Sequence, residues 1–267
     1  MNAVIRPTAD ESLLLRHEAD GVATLTLNRP GQFNSLSEEL LTALQETLDV
    51  IAKDPAVRVV VIAGAGKAFC SGHDLKQMRA NHDKGYMQRL FRQCGRVMMT
   101  LTEIPQPVIA RVHGIATAAG CQLVAMCDLA VAADVARFAV SGINVGLFCS
   151  TPAVALARNM GRKPAMEMLL TGDFIDAEEA RERGLVNRVV PIERLDEEVK
   201  VLADAIRGKS AAAVSMGKRL FYRQLEMGLE GAYQLAAETM ACNMMCEDAG
   251  EGIDAFMQKR PPHWANR

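Results

Sequence analysis

The stretch Val22-Ala23-Thr24-Leu25-Thr26-Leu27 alternates apolar residues with small polar ones, the period of a strand, and Asn28-Arg29-Pro30-Gly31 closes it. The period then lengthens to that of a helix. Leu40, Leu41, Leu44, Leu48 and Ile51 fall on one face, Ser37 stands at the capping position, and Glu38 and Glu39 oppose the positive end of the helix dipole. Residues 57–63 are too continuously apolar for an edge facing water and predict a strand buried on both faces. Residues 64–72 read as a loop of small side chains.

The pattern at 86–101 predicts a long helix, ended by Ile104-Pro105-Gln106-Pro107, where proline removes a donor and disfavours helical geometry in its predecessor. Residues 108–112 predict another buried strand, followed by His113-Gly114, small residues at 116–120 and a helix over 122–127. Short strands follow at 129–132 and 138–140. Beyond Thr151-Pro152 the pattern is mostly helical, with one strand within 185–190. Asp176 with Glu179 has capping-box spacing, Gly184 suits a helix stop, and from Leu195 onward every periodic segment is helical. The chain therefore reads as an α/β core over 1–195 with a helical region, 196–267, packed on it. Two blocks of strand then helix share a layout compatible with a repeated ββα unit.

Composition narrows the function. With 49% hydrophobic residues among 267, the chain is a globular protein with ample core. Its 30 basic and 32 acidic residues leave no positive field to gather nucleic acid or a membrane surface. Seven cysteines without a C-x-x-C pair point to reduced thiols, and hence to a cytoplasmic protein, and five histidines without ligand spacing point to no metal. Residues 1–7 lack the apolar stretch of a secretory leader, and Asp10 and Glu11 oppose a transit peptide. Aromatics are only 4% while methionines number 15, so Met98-Met99 and Met240, Met244 and Met245 read as core filler.

Two segments combine strand, tight small-residue turn and helix: 67–75, containing Cys70-Ser71-Gly72-His73-Asp74-Leu75, and 112–122, containing Ala118-Ala119-Gly120-Cys121-Gln122. Free N–H groups at such helix starts favour developing negative charge, and two facing turns would make an oxyanion hole. The same pattern also serves close packing of helix on strand. Gly64-Ala65-Gly66-Lys67 is not a phosphate loop, since Val61 and Ala68 stand where a Walker loop needs Gly and Ser or Thr. His73 and Asp74 read as a loop histidine and a helix-capping aspartate, and Cys149-Ser150-Thr151-Pro152 as a helix start capped by Ser150 or Thr151.

These residues carry a resemblance. Leu27-Asn28-Arg29-Pro30 with Phe33-Asn34-Ser35-Leu36, then residues 68–75, His113-Gly114, Ala119-Gly120-Cys121-Gln122-Leu123, Cys127-Asp128 and 170–186 together resemble the enoyl-CoA hydratase/isomerase (crotonase) family. The match runs from about residue 20 to 260, and residues 116–123 and 144–152 are similar to one subgroup of that family. The resemblance implies a crotonase-like spiral of ββα units, with a helical C-terminal trimerisation region that builds a homotrimer or hexamer. It implies no resident cofactor, but a small-molecule acyl-CoA, a coenzyme A thioester, as substrate or ligand. Its carbonyl would lie between the main-chain N–H groups of Ser71 and Ala119. Gly72, His73, Asp74, Leu75 and Gly120 would help hold the CoA, while Phe256 and Lys259 would reach that of a neighbouring subunit.

The family's hydratases use two glutamates as acid and base, whose positions map to Gln122 and Gly142. An amide does not ionise near neutral pH and glycine supplies no group, so hydration should be slow. The resemblance leaves three functions: hydration through another group, a different thioester-enolate reaction such as decarboxylation of a malonyl-type ester, or acyl-CoA binding without chemistry.

Overall fold

The computed structural model describes residues 12–267, so residues 1–7, on which the absence of a leader was argued, lie outside the described residues. A hairpin of β1 (Leu14–Ala19) and β2 (Val22–Leu27) opens the chain and is followed by α1 (Glu38–Ile51). Next come β3 (Val59–Gly64), β4 (Ala68–Cys70), α2 (Leu75–Ala80) and α3 (Lys84–Glu103). The arrangement recurs as β5 (Val108–Val112), β6 (Ile115–Thr117) and α4 (Ala119–Met126), and again from β7 (Leu129–Ala133) and β8 (Arg137–Ala139) to α5 (Ser150–Asn159). The chain continues through α6 (Arg162–Thr171), β9 (Ile175–Asp176), α7 (Ala177–Glu182) and β10 (Arg188–Val190). It ends in α8 (Leu195–Arg207), α9 (Ala211–Leu225), α10 (Leu229–Met244) and α11 (Glu247–Met257).

The strands form two sheets. One has the order β1-β2-β3-β5-β7-β10, the other β4-β6-β8-β9. Each of β3, β5 and β7 lies in the first sheet and hands the chain to a strand of the second before a helix returns it, giving a spiral of strand-strand-helix turns. The contiguous apolar run in β3 is buried on both sides. Val60 and Ile62 face the main core with Leu40, Leu44 and Leu48 of α1, whereas Val59 and Val61 meet Leu195, Val199 and Ala203 of α8.

The local signals at helix ends hold. Ser37 accepts from the Leu40 N–H at the start of α1, Asp176 from the Glu179 N–H at the start of α7, and Gly184 takes a left-handed φ of 88°. Other expectations need correction. The segment 64–72 is not wholly loop, because Ala68–Cys70 pairs with β6, and β1 was not predicted because five of its six residues are exposed. Cys149, not Ser150 or Thr151, occupies the cap position of α5, and no side chain caps that helix. Of the methionines named as core filler, Met98 is buried, but Met99, Met240, Met244 and Met245 are exposed, the last at 83%. The core is built mainly from Leu, Val, Ile and Ala, with Met98, Met160 and Met168 buried in it and Met78, Met87 and Met126 packed against it.

The C-terminal helices are tied to the core by one buried ion pair. The Lys218 ammonium in α9 donates to Asp128 Oδ2 at 2.7 Å and to the carbonyls of Leu101 and Gln106 at 2.7 and 2.8 Å. Asp128 also accepts from the Val108 N–H and from the Tyr222 hydroxyl, so every group in the cluster is paired.

Candidate functional site

The motif around Asn34 builds the floor on which the site rests. Asn34 is fully buried in a left-handed conformation; its amide donates to the carbonyls of Ala65 and Ala68, both at 2.8 Å, while its oxygen accepts from the Arg29 N–H. Arg29 in turn pairs with Asp74 at 2.9 Å and donates to the Ser35 carbonyl. Asp74 caps α2 by accepting from the N–H groups of Lys76 and Gln77, as its position in the sequence predicts. Charge pairing with Arg29 and these donors hold the Asp74 carboxyl below the usual range despite the opposing effect of burial.

Segment 33–36 also decides which N–H groups are free. The Ser71 N–H donates to the Phe33 carbonyl at 3.0 Å, so Ser71 is not an oxyanion donor, contrary to the expectation from the motif. Leu36 donates to the Gly72 carbonyl and accepts from the Asp74 N–H, which forms a parallel bridge opposite His73. In such a bridge the intervening residue turns its own N–H away. Among the described residues no acceptor takes the His73 N–H. The Ala119 N–H opens α4, where the first turn has no intrahelical acceptor, and is equally unclaimed.

These two turns are pressed together. A Cβ on Gly72, which has a φ of +89°, would lie 3.1 Å from the Ala119 nitrogen, and one on Gly120 would lie 2.1 Å from the Cys70 carbonyl oxygen. Only glycine permits both the left-handed turn and this approach. Ala118, which precedes α4, is held at φ 51° and ψ −121°, a conformation an L-residue adopts only when its surroundings impose it.

Beside the turns opens a cavity of about 450 Å³. Ser71, His73, Leu75, Met78 and Phe91 line one side, Ala118 and Ala119 the base, and residues from Ser141 to Pro152 the other side. No Asp, Glu, Lys or Arg lines it. Of the residues predicted for the site, Ser71, His73, Leu75, Ala119 and Gly142 reach this lining, while Gly72, Asp74 and Gly120 support it from behind. Gln122 lies one turn into α4, buried and outside the lining, with its Oε1 unpaired. Phe256, 85% exposed, and Lys259 are not part of this chain's own cavity.

Cys149, which the sequence offers as a nucleophile at a helix start beside the favoured reading as part of a capped start, also lines the cavity. Its sulfur would stand 2.7 Å from a Cβ on Gly142, so it fills the space beside the second glutamate position. Burial raises its thiol pKa, and pushes those of Cys70, Cys94 and Cys121 to about 12, which disfavours the thiolate that a nucleophile requires. Among the described residues no cluster of His, Cys, Asp and Glu could hold a metal. No described helix is long and apolar enough to cross a membrane.

The spiral fold agrees with the comparisons. The enoyl-CoA hydratase/isomerase family model matches residues 17–267, and the chain belongs to that family. It is similar to enoyl-CoA hydratase domain-containing protein 3, mitochondrial, with 44% identity to the rat protein over 97% of this chain and 87% of that one. The human counterpart is 45% identical over 98% of this chain and 84% of its own length. Among solved structures, an enoyl-CoA hydratase of Mycobacterium smegmatis superposes with a TM-score of 0.94 at 60% identity, covering 95% of this chain and 99% of that one. Human enoyl-CoA hydratase domain-containing protein 3 superposes with a TM-score of 0.92 at 45% identity, over 95% and 100%. The crotonase-like fold and the subgroup likeness read from the motifs are thus both found. The cytoplasmic expectation is overturned, because these relatives are named as mitochondrial proteins. Reduced thiols argue only against an oxidising compartment and do not single out the cytosol.

Proposed function

We propose that the cavity binds an acyl-CoA thioester, with the carbonyl oxygen held between the main-chain N–H groups of His73 and Ala119. The observation that carries this reading is the pair of unclaimed donors on two abutting turns beside the cavity. Such donors act on charge that develops on the oxygen, and each is worth about 10²–10³ in rate where an oxyanion hole has been dissected. The thioester would need no metal or resident cofactor. Family membership supports the ligand class, and the relatives named enoyl-CoA hydratases support an enoyl or related acyl group.

Hydration itself should be slow. Gln122 cannot act as a base and lies outside the lining, Gly142 offers no group, and the cavity has no carboxylate to replace them. Crotonyl-CoA hydration is expected well below about 10 s⁻¹, the middle of the range for enzymes. A steady-state assay finding that rate or more in the unmodified protein would overturn the expectation. Restoring the pair is not a simple repair. Gln122→Glu is nearly isosteric, but a side chain at Gly142 would begin 2.6 Å from the Leu147 carbonyl oxygen and 2.7 Å from the Cys149 sulfur. Gly142→Glu should therefore gain activity only if the loop carrying Cys149 shifts, and the double variant should exceed both single ones.

Assembly through the C-terminal helices belongs to the same reading. Leu229, Tyr233, Met240, Met245, Phe256 and Met257 are exposed apolar side chains of the C-terminal helices that burial between chains would stabilise. A trimer or hexamer covers them and brings Phe256 and Lys259 towards a neighbouring site. Sedimentation should find a species of three or six chains; a stable monomer that still binds CoA esters would count against it.

A further inference from the structure

Resting on the acyl-thioester reading, we infer that the acyl group is delivered to the cavity on the phosphopantetheine arm of an acidic carrier protein, which docks on the outer face of α2 and α3. The chain's net charge of -2 hides a local excess. Between residues 76 and 96 stand Lys76, Arg79, Lys84, Arg89, Arg92 and Arg96, against Asp83 alone. All six cations are exposed, and none forms an ion pair among the described residues, whereas Arg181, Arg183, Arg188 and Arg194 each have one. Asp83 is spent on capping α3, where it accepts from the Tyr86 N–H at 2.8 Å. The arrangement works against the helix that carries it. Lys84 begins α3 at the positive end of the helix dipole with no acid in that first turn, although α1, α7 and α8 each carry acids there. Arg89, Arg92 and Arg96 follow at spacings of three and four, which sets like charges side by side on one face. Leu90, Cys94, Val97 and Leu101 turn the opposite face to the core. An anionic surface laid over the row relieves this repulsion.

Position and shape narrow the partner. Leu75, Met78 and Phe91 line the cavity, and Lys76, Arg79 and Arg92 are their immediate neighbours in the chain, so the basic face borders the mouth on that side. Across the mouth the rim is uncharged and apolar, with Val145, Leu147 and Phe148 exposed. Arg96 is turned about 140° round α3 from Phe91, and the row from Arg89 to Arg96 runs about 10 Å along the helix. A row of that length, facing away from the cavity, outreaches a diphosphate and fits an acidic helix, whose carboxylates recur at the same spacing of three and four. Arginine rather than lysine supplies the row, and its planar fork takes a carboxylate through two parallel hydrogen bonds. A carrier protein brings both parts together. Its acidic surface answers the row, and its acyl thioester hangs on the same pantetheine arm that CoA carries, so the N–H groups of His73 and Ala119 would meet the same carbonyl.

Calorimetry with a butyryl-loaded acyl carrier protein of a type II fatty-acid synthase, set beside butyryl-CoA, tests this. The loaded carrier should bind, lose affinity steeply as salt is added, and be displaced by excess butyryl-CoA. The same carrier without its arm should bind more weakly. Combining Arg89→Gln, Arg92→Gln and Arg96→Gln should weaken carrier binding about tenfold, the scale of three exposed charge pairs together, and leave butyryl-CoA affinity unchanged. Glutamine keeps helix propensity and removes the like-charge neighbours, so the melting temperature of this variant should not fall. A carrier that fails to bind while butyryl-CoA binds would overturn the inference, as would an equal loss of affinity for both ligands in the triple variant. So would a smaller assembly of that variant in sedimentation, which would give the row to a second copy of the chain. Binding to phosphatidylglycerol vesicles that the triple variant loses, with no binding of the carrier, would give it to a membrane instead. Each of these leaves the thioester reading standing. Failure of butyryl-CoA and the carrier alike to bind would sink that reading, and this inference with it.

Discussion

Ala119→Pro should lower acyl-CoA turnover, or affinity if there is no turnover, by about 10²–10³-fold while the protein stays folded. Ala119 is the first residue of α4, where the lost N–H breaks no bond within the helix. The substitution removes one of the two proposed donors, and because proline also restricts the strained Ala118 before it, the melting curve must show that the fold is kept. Ser71→Ala should barely matter, since the Ser71 N–H is committed to Phe33 and its hydroxyl makes only a 3.5 Å contact. Calorimetry with a CoA ester, alongside a melting curve, checks both. Unchanged binding and turnover in a folded Ala119→Pro protein would mean that the thioester carbonyl lies elsewhere.

The largest loss of stability should come far from the cavity. Lys218→Ala would leave the Asp128 carboxylate buried beside a hole and strip a donor from two carbonyls. Removing one partner of a buried pair typically costs about 3–5 kcal/mol, against about 0–1 kcal/mol for an exposed pair. Both side chains here are largely shielded, at 6% and 14% exposure, so the buried figure applies. Urea denaturation at fixed protein concentration measures it, the fixed concentration being needed if the chain assembles. A loss below about 1 kcal/mol would mean that the pair behaves as a surface bridge. Replacing both members by apolar residues, Lys218→Met with Asp128→Leu, should recover part of the loss because no lone charge remains.

How far the site was legible follows from the distance over which each decision is made. The turn 70–75 and the capping role of Asp74 depend on neighbours within a few residues and were readable from residue type and spacing, whereas α4 begins at Ala119, three residues before the expected 122, because no side chain caps its start. The choice between Ser71 and His73 was not. It rests on Phe33 and Leu36 bonding alternate groups of the 71–74 segment, a register between stretches nearly forty residues apart. Nothing within 70–75 shows which N–H is already spent. Gln122 and Gly142 were visible as departures from the family pattern, but that Cys149 crowds the second of them depends on how the loop before α5 folds back.

The chain's own pattern determined the elements whose signal is long or locally capped: α1 with its five buried apolar residues, the doubly buried β3, and the alternation that yields an α/β core. Side-chain period and capping chemistry act within one element, so the order of residues suffices. Tertiary structure alone decided the rest. The three-residue strands β4 and β6 exist because they pair with each other, and the exposed β1 because it lies against β2. Exposed Met240, Met244 and Met245 and the unmatched His73 ring show the same limit. Hydrophobicity says that a side chain gains by burial, but whether a surface or a partner stands opposite it is settled only when distant segments meet.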